Sequence, residues 1–202
     1  MVLLKISKVI QKCSTPLILF PSLVMSYYIF FAISEITSQL NAPVLDSFLR
    51  GYTREQAIST LTQLGTQGRL QYSTIYTKGY DILFPITSFF MFASLLSKTY
   101  PVLGIKYTQM FNIVPLLYLI CDLSENYCHY NILVHFPNAA MEPFIKYGSI
   151  FCEFKYIFFG LSFLLLLIGF LINLTHSIWY FCCASKQTPR ATPKSTNSKK
   201  HI

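Results

Sequence analysis

Long apolar stretches alternate with polar segments along this chain, and each stretch is close to the length of a membrane-spanning helix. About 20 mostly apolar residues are needed to cross roughly 30 Å of hydrocarbon. Segments of this kind lie at about 16–36, 79–97, 107–126 and 156–181. The pattern predicts an all-α polytopic membrane protein with four transmembrane helices, a transmembrane domain over 1–181 and a disordered basic cytosolic tail over 182–202.

A shorter amphipathic helix is predicted in the first lumenal loop, between the first two spans. Thr53 and Gln56 have the spacing of a capping box, and Gly65 is a typical stop signal. Apolar residues recur on one helical face between these signals, at Ala57, Ile58, Leu61 and Leu64. We expect this helix to lie on the outer membrane surface or across the mouth of the bundle.

Composition supports a membrane protein. The 202 residues are 53% hydrophobic and only 12% charged, whereas a soluble domain carries roughly a quarter charged residues. The formal net charge is +8. Since no basic and aromatic residues interleave as in nucleic-acid-binding proteins, this charge favours contact with an anionic membrane leaflet and no nucleic-acid partner.

Basic residues near the predicted span ends indicate the orientation. Lys5, Lys8 and Lys12 precede the first span, and a lysine-rich tail follows the fourth. The positive-inside rule then places both termini in the cytosol. The lysines also resemble the start of a signal peptide, but the apolar run is longer than usual and lacks a clear small-x-small cleavage site. We expect it to remain as the first span.

The third span ends in an unusual polar stripe, "ICDLSENY" at 120–127. Its Asp122, Glu125, Asn126 and His129 fall at i, i+3, i+4 and i+7, which is one face of a helix. Charged groups inside a span are costly and usually face a partner or a water-filled cavity. The stripe therefore predicts a polar site that points into the bundle near its lumenal end.

Other acidic residues are predicted to lie at the same depth in the membrane as this stripe. Asp81 begins the second span and joins Asp122, Glu125 and Asn126 as a candidate ligand or proton site. Glu35 and Glu153, at the outer ends of spans one and four, and His129 are possible peripheral members. Interfacial acids also occur simply as solvated groups or helix caps.

Several kinds of chemistry remain open for this carboxylate layer. Crowded carboxylates share protons and can act as an acid and base pair, or they can bind a cationic amine. The spacing matches no metal motif, and no nucleotide-binding or catalytic motif is present, so no cofactor is predicted. A hydrogen-bond network that only holds spans two and three together is the structural alternative.

Cysteines and the C-terminal tail add further expectations. Cys128 and Cys152 flank the third loop on the oxidising side and could form a disulfide. Lys199 and Lys200 in "SKKHI" look like the dilysine signal that the retrieval coat reads on endoplasmic reticulum membrane proteins. The sequence therefore predicts a multi-pass protein of that membrane.

Two stretches, "YDILFP" at 80–85 and "VPLLYLICDLSEN" at 114–126, resemble the signatures of an uncharacterised family of small four-span membrane proteins. The matching positions are Asp81, Pro85, Asp122, Glu125 and Asn126. More loosely, the layout is similar to the emopamil-binding and sigma-2 receptor (EXPERA) group of sterol-handling proteins. That resemblance implies a lipid or sterol ligand, which the protein would bind or modify in the lumen-facing carboxylate-lined pocket predicted above. The rival hypothesis is a non-catalytic membrane scaffold or assembly factor.

Overall fold

The computed structural model describes residues 2–104 and 108–184, and these residues form six α-helices joined by turns, loops and short 3-10 helices. In chain order the helices are α1 (Val2–Cys13), α2 (Pro16–Ser38), α3 (Arg54–Thr77), α4 (Tyr80–Thr99), α5 (Val114–His135) and α6 (Glu142–Ala184). Within the described residues there is no β-strand beyond an isolated bridge. The all-α class is confirmed.

Three helices are long and apolar enough to cross a membrane. They are α2, α4 and the stretch Ala139–Cys182, which contains nearly all of α6. The predicted third span is not confirmed as a span. Its helix, α5, begins at Val114 rather than near residue 107 and ends at His135 rather than at 126. The polar stripe lowers the mean hydropathy of this helix.

α5 is nevertheless polar on the inside and apolar on the outside. The stripe residues Asp122, Glu125, Asn126 and His129 are all buried, whereas Ile120, Leu117, Tyr127 and Val134 are exposed. A helix of a water-soluble bundle shows the opposite arrangement. An apolar outer surface around a polar interior is typical of a helix surrounded by lipid.

α6 begins much earlier than the predicted fourth span. It runs unbroken for 43 residues from Glu142, which is about 65 Å of helix and roughly twice the length needed to cross a bilayer. Charged residues in its first half lower the local hydropathy, but they do not interrupt helical geometry. Glu153, predicted just before the span, therefore lies inside the helix.

A helix, α3, covers the region of the predicted loop helix and is longer than predicted, but its place in a lumenal loop is not confirmed. Thr53 and Gln56 form the capping box in both directions. Gly65 has a φ of 62° and kinks the chain, and α3 then continues to Thr77. Its apolar face is buried in the bundle core against residues of the first loop, α5 and α6, including Leu45, Ile132, Ile145 and Cys152. α3 therefore packs on the bundle as part of its core.

Candidate functional site

Lys155 of α6 lies at the centre of a buried charged cluster. Its ammonium pairs with the carboxylates of Glu125 and Asp46 and lies 3.3 Å from Oδ1 of Asp122. Only 5% of Lys155 is exposed, and Glu125 is completely buried. The pairing follows from the packing of α5 against α6, the most extensive helix contact in the molecule. Buried charges of this kind require partners, since an isolated one is very costly.

Asp46 joins the cluster from the first loop. It belongs to the 3-10 turn Leu45–Ser47, and its backbone carbonyl accepts a 2.6 Å hydrogen bond from the hydroxyl of Tyr156. Burial is the largest single influence and acts to raise the pKa of Asp46, but the ammonium of Lys155, together with His129 and side-chain hydrogen bonds, holds that pKa below its ordinary value. About a third of the Asp46 side chain stays exposed, so solvent screens part of this attraction.

Asp81 lies in the first turn of α4, where Gly79 with a φ of 74° begins the helix. Asn126 of α5 donates a 2.5 Å hydrogen bond to the backbone carbonyl of Asp81. The carboxylate itself is nearly buried, and over the described ranges it has no hydrogen bond or ion pair. Asp81 is thus fixed in place through its backbone, while its side chain remains available as an acceptor.

His129 extends the polar cluster toward α3. Its Nε2 lies 3.7 Å from Oε1 of Glu125, and its Nδ1 lies 3.3 Å from the hydroxyl of Tyr76. The Tyr76 hydroxyl also donates to that of Tyr72 at 3.0 Å. His129 is completely buried and lies beside Glu125 of the cluster, whereas the sequence predicts it as a possible peripheral member.

Tyr52 adds a buried hydroxyl beside His129. The two rings lie 5.6 Å apart between centroids. Among the described residues the hydroxyl has no hydrogen-bond partner. Burial, followed by the nearby carboxylate of Glu125, raises the pKa of Tyr52 above its ordinary value, so this hydroxyl stays protonated.

A cavity of about 280 Å³ opens beside the cluster. One side is charged and is formed by Asp46, Asp81, Asp122 and Lys155. The rest is mostly aromatic and aliphatic, with Phe30, Ile33, Phe84, Tyr118, Tyr156 and Phe159. The cavity therefore combines fixed charges with an apolar wall, which is the usual composition of a small-molecule site.

The predicted carboxylate layer is only partly present. Asp81, Asp122, Glu125 and Asn126 come together as predicted, because they face the centre of the bundle. Glu35 and Glu153 do not join them. Both are exposed, and Glu35 borders a separate surface cleft lined also by Lys78.

Sequence reasoning missed Asp46 and Lys155. Lys155 stands between the apolar segments "SIF" and "YIFF". A lysine in such surroundings needs carboxylate partners, and this signal points to the acidic stripe of α5. Asp46 carries no comparable signal, since it follows from the path of an irregular loop.

The remaining predictions meet different outcomes. In the described ranges no group of His, Cys, Asp and Glu side chains is arranged to hold a metal ion. Cys128 and Cys152 are both buried and free, so the disulfide left open by the sequence is not formed in this structure. Lys199, Lys200 and the tail beyond residue 184 lie outside the described residues.

Comparison with known proteins adds no family. No family model, no curated protein and no solved structure matches this chain. The resemblance to small four-span membrane proteins and the looser one to the EXPERA group therefore stay hypotheses. Any function has to be argued from the site itself.

Proposed function

We propose that this chain binds a membrane lipid or sterol whose polar end enters the charged cavity. The observation that carries the proposal is the composition of that cavity, with Asp81, Asp122 and Lys155 on one side and aromatic rings on the other. A ligand that fits it has a hydrogen-bonding head and an apolar body. Membrane lipids and sterols have this construction.

The size of the cavity fits the head of such a ligand better than a whole molecule. Ligand pockets commonly enclose about 300–1,000 Å³, and this one holds about 280 Å³. Phe30 of α2 and Phe159 of α6 both border it, and α2 packs mainly on α4 and hardly touches α6. We expect the apolar body of a ligand to enter between these two helices.

Asp81 is the residue that we expect to recognise the ligand. Lys155 already pairs with Asp46, Asp122 and Glu125, so these carboxylates are occupied. The carboxylate of Asp81 borders the cavity without such a partner in the described part of the chain. It is an acceptor for a ligand hydroxyl or amine, and a sterol or lipid headgroup supplies such a donor.

The second candidate function is a non-catalytic scaffold. The ion network around Lys155 favours it, because a single lysine connects α6, α5 and the first loop. In this alternative the charged residues hold the bundle together for assembly with another membrane protein, and the cavity has no ligand. The two proposals differ in what happens when Asp81 loses its charge.

The test is Asp81→Asn, with Glu153→Gln as the matched control. Glu153 is an exposed acid outside the cluster, so both variants replace one carboxyl group with an amide. Each purified protein is examined for thermal stability in detergent and for co-purifying lipids by mass spectrometry. We expect Asp81→Asn to lose a specific lipid at unchanged or higher stability, since it removes a crowded like charge. Lower stability with an unchanged lipid profile would favour the scaffold.

Three features of the topology and location stay predictions: the four spans, the cytosolic position of both termini, and the endoplasmic reticulum as the location. A glycosylation sequon placed near Thr66 should be modified if the first loop is lumenal. Replacing Lys199 and Lys200 with Ser should release part of the protein to later compartments. Unmodified loop sequons together with protected termini would overturn the orientation.

A further inference from the structure

The first helix carries two different stripes on the half that faces away from the protein. One is cationic, with lysines at the i, i+3 and i+7 spacing of a single helical face: Lys5, Lys8 and Lys12. The other is apolar and has the spacing i, i+4, i+7 and i+11: Val2, Ile6, Val9 and Cys13. Most of these residues are exposed, with Val2 at 69% and Val9 at 61%.

The opposite face of α1 fixes the helix to the bundle. Ser7 is buried and donates a 2.9 Å hydrogen bond to the carbonyl of Gln109. The buried amide of Asn112 donates to the carbonyl of Ser7 at 3.1 Å and to the hydroxyl of Ser97 at 2.9 Å. These bonds set the rotation of α1, so its lysine and apolar stripes must both face outward.

The position of α1 corresponds to a membrane boundary. Only Ser14 and Thr15 separate it from Pro16, where the apolar helix α2 begins. Through Asn112 it also contacts Ser97, two residues before the end of α4 at Thr99. Two of the helices long enough to cross a membrane therefore have an end at the level of α1.

Charge at this end of the molecule has one sign. Over 2–34 and 82–104 every charged side chain is a lysine: Lys5, Lys8, Lys12 and Lys98. Lys98 is exposed and follows Ser97 directly. The acids of the chain lie elsewhere, so no carboxylate within these two segments neutralises the lysines.

We propose that α1 is an interfacial helix that binds anionic phospholipid headgroups. Its apolar stripe would enter the boundary between headgroups and acyl chains, while the adjacent lysines contact lipid phosphates and carboxylates. An acidic protein partner would complement the lysines, but it would not explain an exposed apolar stripe at the level of the span ends. The location and the two stripes together favour the lipid surface.

The test compares two charge-matched triple variants of the full chain. The first is Lys5→Gln, Lys8→Gln and Lys12→Gln, and the control is Arg50→Gln, Lys78→Gln and Lys146→Gln, which removes three exposed cations outside α1. Each protein is mixed with equal amounts of phosphatidylserine and phosphatidylcholine, and bound lipid is measured by native mass spectrometry. We expect the wild-type protein and the control to prefer phosphatidylserine.

In the α1 variant, the preference for phosphatidylserine over phosphatidylcholine should fall about fivefold for each lysine removed. A lysine near an anionic surface strengthens binding by about this factor. High salt should weaken the preference in the wild-type protein. Equal preference in both triple variants would overturn the proposal. Binding of an acidic protein to these lysines, with no selection of phosphatidylserine, would overturn it as well. The cavity variant Asp81→Asn should leave the preference unchanged, which separates this site from the proposed lipid cavity.

Discussion

Replacing Lys155 with Met should severely destabilise the bundle. The substitution keeps most of the side-chain volume but removes the ammonium that contacts Asp122, Glu125 and Asp46. Breaking a buried ion pair from one side typically costs about 3–5 kcal/mol, since the partner charge is left uncompensated. Asp122 and Glu125 are both buried, so we expect a loss in this range. That is a large part of the 5–15 kcal/mol that usually stabilises a domain.

The assay is unfolding of the purified protein in detergent, with Lys146→Met as control. Lys146 belongs to the same helix but is exposed, so its replacement should change the free energy of unfolding by less than about 0.5 kcal/mol. Adding Asp122→Asn and Glu125→Gln to Lys155→Met should restore part of the loss, because the two buried carboxylates are then replaced by neutral amides. A Lys155→Met protein as stable as the control would refute the ion network.

Two further predictions concern packing and pH. Gly148→Ala should cost about 1–3 kcal/mol, because the new Cβ would lie 2.5 Å from the Tyr52 hydroxyl. At Gly160, inside α6, a new Cβ meets nothing within 4 Å, so Gly160→Ala should raise the free energy of unfolding by up to about 1 kcal/mol in the same assay. The lowered pKa of Asp46 means that its stabilising contribution is present above its unfolded pKa of about 3.9 and is lost as the pH falls through the folded value. The free energy of unfolding, measured between about pH 2 and 6, should therefore depend less on pH in Asp46→Asn than in the wild-type protein. An unchanged pH dependence would contradict the pairing of Asp46 with Lys155.

The polar face of α5 shows what the sequence can predict. Asp122, Glu125, Asn126 and His129 repeat at helical spacing, and local geometry alone puts them on one face. Apolar residues on the remaining faces then require this stripe to point inward. Both expectations are confirmed, because neither depends on how distant segments pack.

The acids of the other helices show where such reasoning fails. Position along a span gives the depth of a residue but not the direction in which the helix is rotated. Glu153 and Lys155 are two residues apart, so their side chains leave α6 about 200° apart. Packing against α5 turns Lys155 inward and leaves Glu153 exposed. The same limitation applies to Glu35 of α2.

The positions of Asp46 and α1 are set by packing between segments that are distant in the sequence. Asp46 reaches the cluster because the first loop folds against α6, where Lys155 and Tyr156 hold it. α1 is placed by hydrogen bonds that join residues about one hundred positions apart in the chain. No local spacing encodes such contacts.

Photo-crosslinking tests the central claim most directly. Sterol and phospholipid analogues that carry a diazirine near the head are added to the purified protein, and the modified peptides are identified by mass spectrometry. If a ligand head occupies the cavity, adducts should form on Phe84 or Phe159, which line it and are only partly exposed, and Asp81→Asn should reduce them. Adducts confined to exposed residues of α6 such as Phe163 and Phe170, at the same level in Asp81→Asn, would contradict a lipid-binding cavity.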